Sequence, residues 1–323
     1  MLKKPNCPVI ALEEHYWDAE LAKTYTGPDA GREGEALRRL VDLGELRLKE
    51  MDEGGIDIQV LSHGAPSTQK LGKDIAADLT RRVNDRLHQA IQAHPTRFGG
   101  FAALPTADPK AAADELERTV TKLGFKGAML HGLQDGTTFL DDQRFWPIYE
   151  RAAKLDVPIY FHPGMPHQAV IDAYYKDYAK DFPQILRAGW GYTVETATQA
   201  IRLVLSGVFD THPNLKIILG HLGETLPFLM WRADMALARP GAAKHAGFRD
   251  VFASHFYVTT SGFFSDPALL CCMMELGIDR ILFAVDWPFV ANPPATRWME
   301  AVPISDEDKA KILSGNTKRL LRM

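Results

Sequence analysis

Residues 9–16 read V-I-A-L-E-E-H-Y, an apolar run that turns acidic and ends in histidine. Strand side chains alternate between faces, so Glu13 and His15 point one way and Glu14 the other. The same pattern recurs: V-P-I-Y-F-H-P at 157–163 ends in His162, L-K-I-I-L-G-H at 215–221 ends in His221, and R-I-L-F-A-V-D-W-P at 280–288 ends in Asp286. Four buried strands that deliver polar groups at their C-terminal ends predict a parallel barrel whose catalytic mouth lies at that rim. A lone histidine after a strand is ordinarily a satisfied rim or core residue. Several independent strands ending in metal-competent residues point instead to a shared ion, and carboxylates with imidazoles suit a borderline or harder divalent cation.

Outward from these four, the chain alternates strand and helix. A helix over Leu37–Glu53 leads to a strand near Ile56–Ser62, and a helix over Lys73–Ala93 leads to the strand F-G-G-F-A-A-L-P. The helix Pro109–Leu123, with proline at its first position, precedes F-K-G-A-M-L-H-G, and a helix over Gln143–Leu155 feeds the fifth strand. Helices over Thr193–Ser206 and Thr225–Ala238 flank the sixth. F-Y-V-T-T-S-G is the seventh, and a terminal helix opens with a capping pair, Ser305 and Asp308. The prediction is an α/β protein, a (β/α)8 TIM barrel, as one domain over residues 1–323 with long inserts at about 164–192 and 239–254. The first insert, rich in Tyr, Asp, Gly and Pro, is long for a connection and reads as an active-site loop or lid.

A chain of 323 residues, 46% hydrophobic and 24% charged, is a comfortable size for one large barrel with a sizeable core. A formal charge of −4 argues against a general nucleic-acid or anionic-membrane surface and leaves a small molecule as the expected partner. M-L-K-K-P-N-C-P runs into the first strand without a long apolar stretch, which predicts a cytoplasmic protein. Cys7, Cys271 and Cys272 have no C-x-x-C spacing and read as reduced thiols without catalytic duty.

At the stretches A-L-E-E-H (11–15), E-T-A-T-Q-A-I-R-L-V-L-S-G-V-F-D (195–210), I-I-L-G-H-L-G-E-T-L-P (217–227) and D-R-I-L-F-A-V-D-W-P-F (279–289), the chain resembles the amidohydrolase superfamily. The closer likeness is to its decarboxylase branch, which includes aminocarboxymuconate semialdehyde decarboxylase and the gamma-resorcylate (dihydroxybenzoate) decarboxylases. The resemblance implies one metal, Zn2+ with Mn2+ as the alternative, held by Glu13, His15, His162 and Asp286. It implies a catalytic or supporting pair in His221 and Glu224, and a substrate pocket lined by Arg232, Trp190 and Phe289. Many binuclear members bridge two metals with a carbamylated lysine at the end of strand four. Here that strand ends Met129-Leu130-His131, with Lys126 near its start, so a single metal is expected. His63 and His131 match no motif of the branch. Relatives of this kind are often homodimers or homotetramers.

The function so implied is nonoxidative decarboxylation of a hydroxybenzoate-type acid, in which the ring carbon bearing the carboxylate must be protonated before carbon dioxide leaves. Asp286 is the expected donor, with its pKa raised by a partly desolvated cleft, the cation orienting the substrate and Arg232 steadying an anionic group. The alternative is a mononuclear hydrolase of an ester, lactone or amide, with Asp286 taking a proton from metal-bound water. A barrel that binds without turnover leaves His221 and Glu224 unexplained.

Overall fold

The computed structural model describes residues 6–27, 30, 33–238 and 246–323. Eight strands follow the predicted order: β1 Ile10–Tyr16, β2 Ile58–His63, β3 Phe98–Gly100, β4 Ala128–His131, β5 Ile159–His162, β6 Ile217–Leu219, β7 Phe256–Thr259 and β8 Ile281–Leu282. All ladders are parallel, in the orders β1-β2-β3 and β4 through β8. Short bridges join the two sheets at both edges. Met129 N donates to Ala102 O (3.0 Å) after β3, while His15 N donates to Trp287 O (2.7 Å) and Asp286 N to Glu13 O (3.1 Å) after β8. The ring is therefore closed, a (β/α)8 barrel.

Alternation divides the core. Ile10, Leu12, Val60, Phe101, Met129, Tyr160, Ile218, Leu282 and Ala284 pack against one another inside the ring. Ala11, Leu61, Leu130, Phe161, Leu219, Val258 and Phe283 belong to the larger cluster between strands and helices. This parity creates a difficulty on β1, since Ile10 and Leu12 inside would bring Glu14, not Glu13 and His15, to the interior. A register shift resolves it: Ala11 pairs with Gln59 but Glu14 with Leu61, so one extra β1 residue is accommodated between them. A bulge of this kind re-aims side chains near sites. Beyond it Glu13 and His15 face inward and Glu14 outward.

Glu14 has its own task at the seam. Its Oε1 accepts from Val285 N (2.9 Å) and its Oε2 from Gln59 Nε2 (3.1 Å). The buried Arg47 donates to Gln59 Oε1 (3.1 Å), His15 O (2.6 Å) and Asp42 O (3.0 Å), and lies 4.0 Å from the Trp287 ring centre. Burial pushes the Glu14 carboxyl up and the Arg47 guanidinium down to about 9, while the donors facing both Glu14 oxygens favour its ionised form.

Three expectations change in detail. The helix read over Leu37–Glu53 is two, Gly34–Val41 and Glu45–Gly54, because Asp42 Oδ1 accepts from Gly44 N and Arg47 N and restarts the helix. The 164–192 insert is a string of short helical turns, Gln168–Val170, Ile171–Tyr175, Lys176–Ala179 and Pro183–Leu186. Within the 239–254 insert, residues 239–245 lie outside the described residues, and Phe248–His255 is helical. The Ser305 cap forms as read, its Oγ accepting from Asp308 N (3.1 Å).

Candidate metal centre

Glu13, His15, His162 and Asp286 converge at the C-terminal rim, each offering one atom within 4.8 Å of the others. Glu13 Oε1 stands 3.2 Å from His162 Nε2 and 3.9 Å from His15 Nε2, and Asp286 Oδ1 stands 3.3 Å from His15 Nε2. Glu13 Oε1, His15 Nε2 and Asp286 Oδ1 are buried without any hydrogen-bond partner. Buried polar atoms are ordinarily satisfied, so three orphans aimed at one point fit a cation they would share. Donor atoms about 2.1 Å from one ion lie at most about 4.2 Å apart, which asks for a contraction of only a few tenths of an ångström.

The layer beneath fixes these donors. Burial tends to raise the Glu13 carboxyl, but the facing His221, His162 and His15 hold it well below the usual carboxylate range. Its second oxygen, Oε2, accepts from the Tyr160 hydroxyl, and burial with the Glu13 charge keeps that phenol protonated. The chain continues from Tyr160 Oη to Thr259 Oγ1 (2.8 Å), to Ser261 Oγ (3.0 Å), which accepts from His221 N (3.0 Å). Gly220 leaves room for this, since a Cβ there would stand 2.7 Å from Glu13 Oε2. His15 Nδ1 meets Ser62 Oγ at 3.2 Å. His162 Nδ1 lies 2.8 Å from Pro163 O and 3.0 Å from His131 Nδ1, and His131 Nε2 lies 2.7 Å from His63 O.

His221 Nδ1 pairs with Glu224 Oε1 at 2.8 Å, and Thr193 Oγ1 donates to Glu224 Oε2 at 2.8 Å. On its other side His221 Nε2 stands 3.6 Å from Glu13 Oε1 and 3.9 Å from Asp286 Oδ2. Burial opposes a charge on this ring, but Glu224 and Glu13 outweigh it and hold His221 well above the ordinary imidazole range. Asp286 corrects the sequence reading. Its carboxyl was expected to be raised; burial does push upward, but His15 and His221 prevail and lower it. A raised proton affinity thus resides on His221, beside Asp286.

Of the residues predicted to line a substrate pocket, Phe289 sits with its ring centre 5.6 Å from that of His15. Trp190 is half exposed at the start of the helix Gly191–Ser206, and Arg232 is exposed on the helix Leu226–Ala236. Lys126 points away, its Nζ 3.5 Å from Arg322 O. His63 faces outward: its Nε2 accepts from Asp18 N (2.9 Å), its Nδ1 donates to Gly64 O (2.9 Å), and burial lowers it to about 4. Cys272, pushed up to about 12 by burial, donates to Leu222 O. Tyr160 and Thr259 escaped the sequence reading because in strands they look like ordinary β-formers, and Ser261 because just past β7 it looks like an ordinary turn residue. Their inward parity, the same as that of His162 and Asp286, was the available signal.

A family model described as amidohydrolase matches residues 14–323. The gamma-resorcylate decarboxylase of Polaromonas sp. is 42% identical over 325 residues, covering 97% of this chain and 98% of the relative. Among solved structures, the dihydroxybenzoic acid decarboxylase from Polaromonas sp. JS666, with bound manganese and the inhibitor 2-nitroresorcinol, superposes with a TM-score of 0.88 at 39% identity, covering 98% of this chain and 97% of that one. A 2,6-dihydroxybenzoate decarboxylase complexed with 2,6-dihydroxybenzoate gives a TM-score of 0.87 at 38% identity, covering 98% and 99%.

Proposed function

We infer that this chain, which belongs to the amidohydrolase family, is a metal-dependent nonoxidative decarboxylase of a hydroxybenzoate-type acid, and we propose 2,6-dihydroxybenzoate (gamma-resorcylate) as its substrate. The observation that carries this is the set of three orphaned donor atoms of Glu13, His15 and Asp286, joined by His162, with His221 alongside and paired to Glu224. The inhibitor in the Polaromonas structure supports the substrate class, because its nitro group occupies the ring position that bears the carboxylate in 2,6-dihydroxybenzoate.

Glu13, His15, His162 and Asp286 are the proposed metal ligands. An ion bound there supplies Lewis-acid attraction for the substrate's phenolic and carboxylate oxygens and so orients the ring. Between the two ions named above, the two carboxylates and the manganese in the neighbouring structure favour Mn2+. Asp286 is the proposed donor to the ring carbon. Because its own carboxyl is held low, its proton is supplied by His221, whose charge Glu224 sustains. Protonation of the ring carbon, cleavage of the bond to the carboxylate and return to aromaticity release carbon dioxide and consume one proton, which solvent returns to His221. Phe289 bounds the ring. Arg232 and Trp190 are the remaining proposed contacts, and their exposure requires that closure of the 164–192 segment or a second copy of the chain bring them to substrate.

Phe228, Trp231 and Met235 form an exposed apolar stripe on the helix Leu226–Ala236, which supports a homodimer or homotetramer. All three cysteines are free, which supports a reducing, cytoplasmic location. The test is metal analysis of the purified protein with a carbon dioxide release assay across hydroxybenzoates. One Mn2+ per chain with release from 2,6-dihydroxybenzoate is expected, and metal without release from any hydroxybenzoate overturns the reading.

A further inference from the structure

His131 occupies the end of β4 and points into the ring with His162, yet it is not one of the four residues proposed to hold the metal. Its two ring nitrogens are both engaged. Nε2 faces the His63 carbonyl at 2.7 Å, and a carbonyl only accepts, so Nε2 carries a hydrogen. Nδ1 faces His162 Nδ1 at 3.0 Å. His162 Nδ1 also faces the Pro163 carbonyl at 2.8 Å, so it too must carry its hydrogen. Two nitrogens in contact cannot both present hydrogens, so His131 Nδ1 is the acceptor. The ring is buried, so neither nitrogen has water as an alternative partner. Gln69 Oε1 accepts from His131 N at 3.2 Å and holds the end of β4 in place.

We propose that His131 is a positioning residue for His162: its Nδ1 shares with the Pro163 carbonyl the single Nδ1 hydrogen of His162, and so holds that ring in the tautomer and orientation that leave the Nε2 lone pair free for the metal. The chain of command runs from the His63 carbonyl on β2, through His131 on β4, to His162 on β5. A partner on the remote nitrogen both sets ring orientation and strengthens the ligating nitrogen. This rests on the assignment of His162 as a ligand.

The experiment is titration of metal-stripped protein with Mn2+ against a chromophoric chelator, for the wild type, His131→Leu, His131→Gln and His162→Ala, with the melting temperature of each metal-free form. A Gln amide can accept from His162 and donate to His63, whereas Leu can do neither. His131→Leu is expected to weaken Mn2+ binding about 10–100-fold, with His131→Gln recovering most of it. Wild-type affinity in His131→Leu overturns the proposal, and so does a Gln variant that binds as weakly as Leu while melting like the wild type. If His162→Ala binds like the wild type, the ligand assignment itself falls. Should the Leu variant not fold, nitrogen-15 NMR of the metal-free wild type decides: a coupling through the hydrogen bond between His162 Nδ1 and His131 Nδ1 supports the proposal, and its absence, or His162 protonated at Nε2, overturns it.

Discussion

Glu14→Gln is the sharpest test of how the barrel seam holds the site. Glu14 lies between two proposed ligands in sequence and binds Val285, the residue before a third, while its network partner Arg47 binds the carbonyl of His15. Its two oxygens serve two donors, Val285 N at 2.9 Å and Gln59 Nε2 at 3.1 Å. A glutamine amide has one oxygen, so one donor is left facing an NH2 group. Gln59 cannot flip to help without turning its own NH2 toward Arg47. The substitution also removes one of the carboxylates that, with Asp42 and Glu50, face the fully buried Arg47. A buried donor left unsatisfied costs about 1–3 kcal/mol, and we take about 3 because the compensation of the Arg47 charge is weakened as well, although Arg47 keeps three acceptors and its place over Trp287. With an unfolding entropy of about 2.1 cal/mol/K per residue over 323 residues, roughly 0.7 kcal/mol/K, that is a fall in melting temperature of about 4 °C. Calorimetry of the Mn2+-saturated protein measures it. Adding Arg47→Met should give a double variant at least about 1 kcal/mol more stable than the two single losses predict, since the two residues act on each other through Gln59 and part of each loss is shared. A Glu14→Gln melting temperature within about 1 °C of the wild type would refute the argument.

His63 gives a pH test of stability away from the metal. Burial holds it at about 4 when folded, against 6.5 in the open chain, so between these values the unfolded chain binds a proton that the folded chain refuses. Its contribution is whole above pH 6.5 and is lost as pH falls toward 4, about 2 kcal/mol of it between pH 7 and 5. Urea midpoints at those two pH values should converge by that amount in His63→Gln, and an unchanged difference would sink the assignment. Asp286→Asn should lose about 10²–10⁴-fold in turnover at saturating Mn2+, as expected for a missing proton donor; carbon dioxide release measures it, and a variant that keeps its metal and most of its rate contradicts the role. Arg232→Met should raise KM about tenfold or more with a smaller change in kcat if the guanidinium binds an anionic group, a charge-assisted contact. Equal falls in kcat and kcat/KM would place its role elsewhere.

What the sequence disclosed was whatever is encoded locally. The eight strand texts, the helix Pro109–Leu123 and the Ser305 cap follow from periodicity and local motif, and strand ends bring Glu13, His15, His162, His221 and Asp286 to one rim; the choice of four ligands among these came with the family resemblance. Alternation said that Glu13 and His15 share a face, but which face depends on a bulge that exists only in the pairing of β1 with β2. The break at Asp42 and Gly44 depends on a side chain folding back onto its own backbone. His131 was ambiguous because its meaning lies in a ring contributed 31 residues later. The lowered carboxyl of Asp286 likewise required distances to His15 and His221.

The backbone itself separates two kinds of work at this rim. From His221 to Thr225 five successive residues have positive φ, between 50° and 79°, and only Gly223 among them adopts that region freely. Left-handed conformation costs an L-residue about 1–2 kcal/mol, so the four others together carry several kcal/mol. Such a run persists only where the surroundings over-determine it. Here they do: Ser261 Oγ takes the His221 N–H, Gly220 O takes the Gly223 N–H, Cys272 reaches Leu222 O, and Thr193 anchors Glu224. The turn sets Glu224 against His221 Nδ1 while Nε2 faces Glu13 and Asp286. Asp286, at φ 74°, is the only other residue of the site held this way. Glu13, His15 and His162 sit on unstrained strands. The strain falls on Asp286 and on the turn that carries His221 and Glu224, where side chains must be aimed at points no regular strand end would reach.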